Sequence, residues 1–109
     1  MRLTQIQLKA IAHVFPQHFL SQDKIWLFGS RVDDSKKGGD IDLYIETHYD
    51  NWPTVAQKQI DFLVALKKEI GDQKIDLVIH PLSSNQKRPI YDEAKQTGIL
   101  LNEKSTSFR

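Results

Sequence analysis

The sequence predicts an α+β fold, close to α/β, with a small mixed β-sheet of three to four strands flanked by helices. Apolar residues recur at helical spacing in the segments that we assign to helices, and short segments between them have the composition or the alternation of strands. Glycine or proline separates many of these segments. The length of 109 residues suits one domain, which we assign to 1–109 with a polar tail from about 103.

The first predicted helix follows Thr4, a residue type that caps helix N-termini well. We expect the helix to end near Pro16 or shortly after, and to cover one face of the sheet. Its predicted apolar side consists of Ile6, Leu8, Ile11, Ala12 and Phe15.

Two strands are predicted next. Residues 25–28 are apolar and β-prone, and they stop at Gly29 as a buried strand does at a tight turn. After the polar stretch 33–39, a second strand runs from Asp40 to about Glu46. Because strand side chains alternate between faces, one face of this strand carries polar residues and the other is apolar. The polar face holds Asp40, Asp42, Tyr44 and Glu46, and the apolar face holds Ile41, Leu43 and Ile45.

The second predicted helix begins at Pro53 or Thr54, after a loop at 48–52, and Gly71 with Asp72 ends it. Its predicted buried side consists of Val55, Ile60, Phe62, Leu63, Leu66 and Ile70.

A third strand is predicted at 75–79, where Asp76 is a charge inside an otherwise apolar segment. After the polar loop 83–88, a last helix runs from Pro89 to about Thr97. Gly98 closes this helix, and residues 99–101 are expected to form a short edge strand.

The segment from Leu27 to Leu43 carries the strongest functional signal. Gly29 lets the backbone approach a ligand, and Ser30 can cap a short helix that would favour a polyphosphate. Asp40 and Asp42, two residues apart on one strand, project from one face. This layout is typical of metal-dependent phosphoryl or nucleotidyl transfer.

Nucleotidyl transfer requires neutralisation of the triphosphate charge and activation of the attacking oxygen, which two divalent ions roughly 4 Å apart can supply. Mg²⁺ prefers oxygen ligands such as carboxylates. Asp76, on a strand adjacent to Asp40 and Asp42, is the candidate for the third acid. Three neighbouring carboxylates repel one another without a cation, so such a cluster indicates a metal site.

Together these residues resemble the minimal nucleotidyltransferase (MNT) family of the DNA polymerase β-like superfamily. Its signature is a Gly-Ser turn, about ten residues, Asp-x-Asp, and a later Asp in an apolar strand, and the resemblance spans roughly 25–79. The matching positions are Gly29, Ser30, Asp40, Asp42 and Asp76, and Arg31 matches a frequent basic residue. The segment between Ser30 and Asp40 is one residue shorter than the commonest spacing, which Gly38 and Gly39 can accommodate.

The resemblance implies that Asp40, Asp42 and Asp76 are the catalytic, metal-binding residues, with Asp42 bridging two Mg²⁺ ions and Mn²⁺ as the alternative metal. Asp76 would orient or deprotonate the attacking hydroxyl. Gly29 and Ser30 would hold the β and γ phosphates of ATP, and Arg31 would add positive charge.

The resemblance also implies a partner and an activity. The protein would transfer AMP from ATP, or another nucleoside monophosphate, to a hydroxyl of a helical HEPN-type protein encoded nearby, as the antitoxin of a toxin-antitoxin pair. Two alternatives stay open: a non-catalytic nucleotide- or partner-binding module, and a transferase acting on a small molecule such as an aminoglycoside. The latter is expected to need an added substrate domain.

Composition narrows the classes of function. Fifteen basic and fourteen acidic residues give a net charge of +1, so no direct nucleic-acid binding is expected. The chain contains no cysteine, and no apolar stretch approaches the roughly 20 residues of a membrane span. We therefore expect a cytoplasmic protein.

Other residues have weaker functional interpretations. Lys36 and Lys37 can reach phosphates, although a solvated loop is the commoner role of such a pair. Tyr44 is expected to pack in the sheet and Glu46 to face solvent. The histidines His13, His18, His48 and His80 lack the spacing of metal ligands. Trp26 is expected in the core, and Trp52 either rims a pocket or meets a partner. Neither an EF-hand nor a Walker A sequence is present.

Overall fold

The computed structural model describes residues 2–33 and 39–102. Within these two ranges, three helices and four strands follow one another in the order α1, β1, β2, α2, β3, α3, β4. Their bounds are α1 Gln5–His18, β1 Lys24–Phe28, β2 Ile41–Thr47, α2 Trp52–Ile70, β3 Ile75–Pro81, α3 Pro89–Thr97 and β4 Ile99–Leu100. A single 3-10 turn, Gly29–Val32, follows β1. The α+β fold with a mixed sheet is therefore confirmed.

The sheet has the order β3-β2-β1-β4. β1 pairs antiparallel with both β2 and β4, whereas β2 pairs parallel with β3. The parallel pair requires a crossover, and α2 provides it. Among the strands of the described residues, β3 lies at one edge of the sheet and neighbours β2 alone.

Helices cover both faces of the sheet. One face packs against α1 and α2 in the main core, whose most buried members include Ile11, Ile25, Leu43, Phe62 and Leu66. The other face carries a smaller core in which α3 packs on β1 and β2. This smaller core consists of Trp26, Phe28, Tyr44, Tyr91 and Ala94.

The predicted helix boundaries hold, but three residues of the predicted buried faces are exposed. Thr4 caps α1 in a capping box with Gln7, as predicted for Thr4. Ile6 is 69% exposed and Ile60 is 56% exposed, and Ala12 also faces solvent. The buried stripe of α1 instead contains Ala10 and Val14. Trp52, which we placed in a loop, is the first residue of α2.

No helix within the described ranges combines the length and apolarity that crossing a membrane requires.

A buried carboxylate, Asp23, lies directly before β1 and accepts hydrogen bonds from the residues around it. Its Oδ2 accepts hydrogen bonds from the Leu20 amide at 2.9 Å and the Thr47 hydroxyl at 2.7 Å. Its Oδ1 accepts from the His48 amide at 2.8 Å and lies 2.8 Å from His48 Nδ1. Asp23 is 1% exposed, so it joins the start of β1 to the end of β2 in a region shielded from water.

Replacement of Asp23 by alanine is expected to lower the free energy of unfolding by about 3 kcal/mol, because the buried Thr47 hydroxyl and two part-buried backbone amides lose their acceptor. Urea unfolding monitored by circular dichroism measures this change. Asp50→Ala is the matched control, since Asp50 is exposed, and it should change stability by less than about 0.5 kcal/mol. Equal stability of the two variants would show that the Asp23 hydrogen bonds do not support the fold.

Candidate active site

The candidate site lies where β1 ends and where β2 and β3 begin. Gly29 directly follows β1 and opens the 3-10 turn, while Asp42 is the second residue of β2 and Asp76 the second of β3. In the sheet register Asp42 is opposite Asp76 on one side and Phe28 on the other. The sheet therefore brings together residues that are 34 positions apart in sequence.

Asp42 and Asp76 share one face because they are paired in a parallel ladder. Asp76 acts on the neighbouring carboxyl, since its charge and a side-chain hydrogen bond with it are among the causes that raise the pKa of Asp42. Asp76 is exposed and Asp42 half-buried, so the pair is reachable from solvent.

The pKa of Asp42 is raised from 3.8 to about 6. Burial is the largest cause, followed by the charge of Asp76 and the hydrogen bond to it, and Asp40 adds further repulsion. Lys74 opposes this effect. The carboxylates thus repel each other in the absence of a cation, as the sequence argument required.

Asp40 precedes β2 and does not converge fully on the other two acids. Its Oδ2 lies 3.5 Å from Lys74 Nζ, and the Lys74 backbone carbonyl accepts a hydrogen bond from the Ile41 amide at 3.1 Å. Among residues 2–33 and 39–102, no three acidic, histidine or cysteine side chains are already arranged around one cation position. A metal that used Asp40 Oδ2 would compete with Lys74 for this oxygen.

Gly29 lies against Asp42. Its φ of +77° belongs to the left-handed region, and a Cβ atom at this position would overlap Asp42 Oδ2. Glycine is therefore required both by the backbone conformation and by the space that the carboxylate occupies. Ser30 is the next residue of the same 3-10 turn. The predicted short helix capped by Ser30 would also involve residues 34–38, which lie outside the described ranges.

The geometry of a glycine turn beside a carboxylate pair agrees with the comparison to known families. The family described as polymerase beta, nucleotidyltransferase, matches residues 9–107. The chain belongs to the polymerase beta nucleotidyltransferase family. The match covers all four strands and most of α1. No curated protein matched the chain.

In this member of the family the two terminal nitrogens of Arg31 donate to backbone carbonyls. Nη1 donates to the Arg2 carbonyl at 2.8 Å, and Nη2 donates to the Gly39 carbonyl at 3.4 Å. These bonds join the chain N-terminal to α1 to the segment that leads into β2. The structure thus gives Arg31 a role in holding that segment, in addition to the predicted contribution of charge. Lys36, Lys37 and Gly38 lie outside the described residues.

One residue of the polar face of β2 is buried against our expectation. Glu46 is only 8% exposed, whereas the sequence suggested solvent exposure. Its carboxylate accepts a hydrogen bond from the Tyr44 hydroxyl at 3.0 Å and pairs with Lys95 Nζ at 3.0 Å. The alternation of β2 correctly put Glu46 on the face of Asp42 and Tyr44. Glu46 is buried because α3 packs over it, and nothing in the sequence of β2 itself indicates that packing.

The raised pKa of Asp42 makes the metal-free protein more stable at low pH. Because the folded-state pKa of about 6 exceeds the usual 3.8, the folded protein holds the proton more tightly. Stability therefore falls as pH rises from about 4 to about 7. Asp42→Asn removes this loss, so in EDTA at pH 7.5 the variant should exceed the parent by about 1 kcal/mol, a value reduced for solvent screening.

Urea unfolding at pH 7.5 and at pH 4 measures both halves of this prediction. The advantage of Asp42→Asn should disappear at the lower pH, where the wild-type carboxyl is also protonated. Asp72→Asn, at an exposed turn position, is the control and should not reproduce the effect. A variant less stable than wild type at pH 7.5 would contradict the repulsion.

Proposed function

We propose that this protein transfers AMP from ATP, or another nucleoside monophosphate, to a hydroxyl of a partner protein. The observation that carries the proposal is the pairing of Asp42 with Asp76 in the parallel ladder beside Gly29. Two carboxyls that repel each other in an accessible position form a suitable site for a divalent cation. Membership of the nucleotidyltransferase family supports the same chemistry.

The residues present fit a bound cation. Asp42 and Asp76 offer hard oxygen ligands, and Mg²⁺ commonly uses one or two carboxylates together with substrate phosphates. We propose Mg²⁺ as the metal, with Mn²⁺ as the alternative, and Asp40 as a further ligand once it leaves Lys74. A cation held there would polarise the α-phosphate and lower the pKa of the attacking hydroxyl.

The protein groups would act as follows. Gly29 and Ser30 would hold the β and γ phosphates, where the absence of a side chain on Gly29 lets the phosphates approach the backbone. Asp76, which is the more exposed acid, would orient the acceptor hydroxyl and take its proton. The acceptor oxygen bonds to the α-phosphorus, the bond between the α-phosphorus and its bridging oxygen breaks, and pyrophosphate leaves.

We propose that the acceptor belongs to a helical HEPN-type protein encoded nearby, in a toxin-antitoxin pair of the MNT type. An apolar stripe on α2 supports a protein partner. Trp52, Ile60 and Val64 are 53%, 56% and 51% exposed, and their spacing puts them on one side of the helix with Ala56. Large exposed apolar residues in one stripe are typical of interaction surfaces.

The transfer reaction is tested with α-labelled ATP, magnesium and the product of the neighbouring gene. Label should appear on the partner with the wild-type protein and fall by at least about a hundredfold with Asp42→Asn, a loss of about 2.7 kcal/mol or more in the barrier. Asp72→Asn serves as the matched control and should retain transfer.

Capture of the partner should be measured in the same reactions. Partner binding that survives Asp42→Asn, with label absent from every reaction, would contradict the transferase and favour the non-catalytic binding module.

A further inference from the structure

A cavity lies on the same sheet face as the acid pair but farther along the strands. Its volume is about 390 Å³, and it lies between β2, β3, the loop before α3 and α3 itself. We call it the aromatic pocket and define it by Tyr44, His80, Arg88, Tyr91 and Lys95. Its size is within the range of pockets that bind small molecules.

The aromatic pocket is separate from the acid pair. Tyr44 is two residues beyond Asp42 in β2, and His80 is four residues beyond Asp76 in β3. At the rise of a strand these steps correspond to about 7 Å and about 13 Å. None of the residues that line the pocket is one of the three candidate catalytic acids.

Stacked rings form the wall of this pocket. The rings of His80 and Tyr91 are nearly parallel, at 10°, with centroids 4.0 Å apart. Tyr44 lies beside both, at centroid distances of 6.4 Å from His80 and 5.7 Å from Tyr91. Leu82, 43% exposed, adds an apolar contact at the rim. Such a surface favours a planar ring.

A hydrogen-bond network fixes that wall. The single proton of the Tyr44 hydroxyl goes to Glu46, and His80 Nδ1 lies 3.0 Å from the same oxygen. His80 must then donate through Nδ1, which leaves Nε2 as an acceptor in the neutral ring. Burial lowers the pKa of His80, which favours this neutral form. The rings are thus held in place before any ligand binds.

The rim is positively charged. Lys87 and Arg88 are exposed, and no ion pair joins either of them to a carboxylate of the described segments. Arg88 lies over the Tyr91 ring at 5.6 Å and is the N-cap of α3 without a side-chain cap bond. Lys95 is neutralised by Glu46, and Asp92 offsets one charge. One positive charge remains at the rim.

We propose that the aromatic pocket is a binding site for a small molecule that joins a planar ring to an anionic group. The ring would stack against the fixed aromatic wall, and the anionic group would meet Lys87 and Arg88. Nucleoside monophosphates and aromatic carboxylates share this chemistry. The site functions without a metal and stands whether or not the acid pair catalyses transfer.

Titration of the isotopically labelled protein by NMR in EDTA tests this proposal. AMP and 4-hydroxybenzoate are the probes, with adenosine and inorganic phosphate as controls that carry only one of the two features. A probe that binds should shift the amide signals of His80, Tyr91 and Lys95 saturably, while those of Gly29 and Arg31 stay in place.

The two probes distinguish a nucleotide ligand from an aromatic carboxylate ligand. Shifts with both establish the shared chemistry, shifts with AMP alone assign a nucleotide, and shifts with 4-hydroxybenzoate alone assign an aromatic acid. Each control should bind at least about tenfold more weakly. Shifts confined to Gly29 and Arg31, equal shifts with a control, or no saturable shifts would overturn the proposal.

Substitutions at Lys87 and Arg88 test whether these side chains bind the anionic group of the ligand. The double change Lys87→Gln and Arg88→Gln should weaken probe binding about tenfold or more, because it removes the unpaired cations. Lys67→Gln with Lys68→Gln is the matched control, since both lysines lie exposed at the end of α2. Equal affinity of the two double variants would overturn the assignment of the rim as an anion contact.

Discussion

The parallel pairing of β2 with β3 is the constraint on which the site depends. It sets Asp42 directly opposite Asp76, and burial of Asp42 together with repulsion from Asp76 raises the pKa of Asp42 to about 6. The same register begins with the hydrogen bond from the Ile41 amide to the Lys74 carbonyl. A shift of one residue would send one of the two acids to the opposite face. The fold therefore maintains an unfavourable contact that a divalent cation would convert into a favourable one.

Three other elements, α2, β1 and α3, position this pair of acids. α2 makes the parallel pairing possible as the crossover between β2 and β3. β1 ends at Gly29, which leaves the space that the Asp42 carboxylate occupies. On the acid face α3 covers Trp26 and Phe28 of β1 and Tyr44 of β2. Asp76 stays exposed, so a substrate can reach it.

The sequence predicted the elements well because their signals are local. Capping at Thr4, the turn at Gly29 and the alternation of β2 all depend on neighbouring residues, and the structure agrees with each. Burial depends on distant packing and was harder to predict. Ile60 has helical spacing but faces away from α1 and the sheet, so it stays exposed. Glu46 is buried because α3 brings Lys95 to it. Asp23 gave no periodic signal, and its hydrogen bonds arise only when β1 and β2 pair.

Manganese binding to the protein without nucleotide tests the central claim most directly, because it depends on the acids alone. Electron paramagnetic resonance counts the free ion during titration of wild type, Asp42→Asn, Asp76→Asn and the control Asp72→Asn. We expect wild type and the control to bind Mn²⁺ equally, and each site variant to lose at least about tenfold in affinity. Equal affinity in all four proteins would show that Asp42 and Asp76 do not form a cation site.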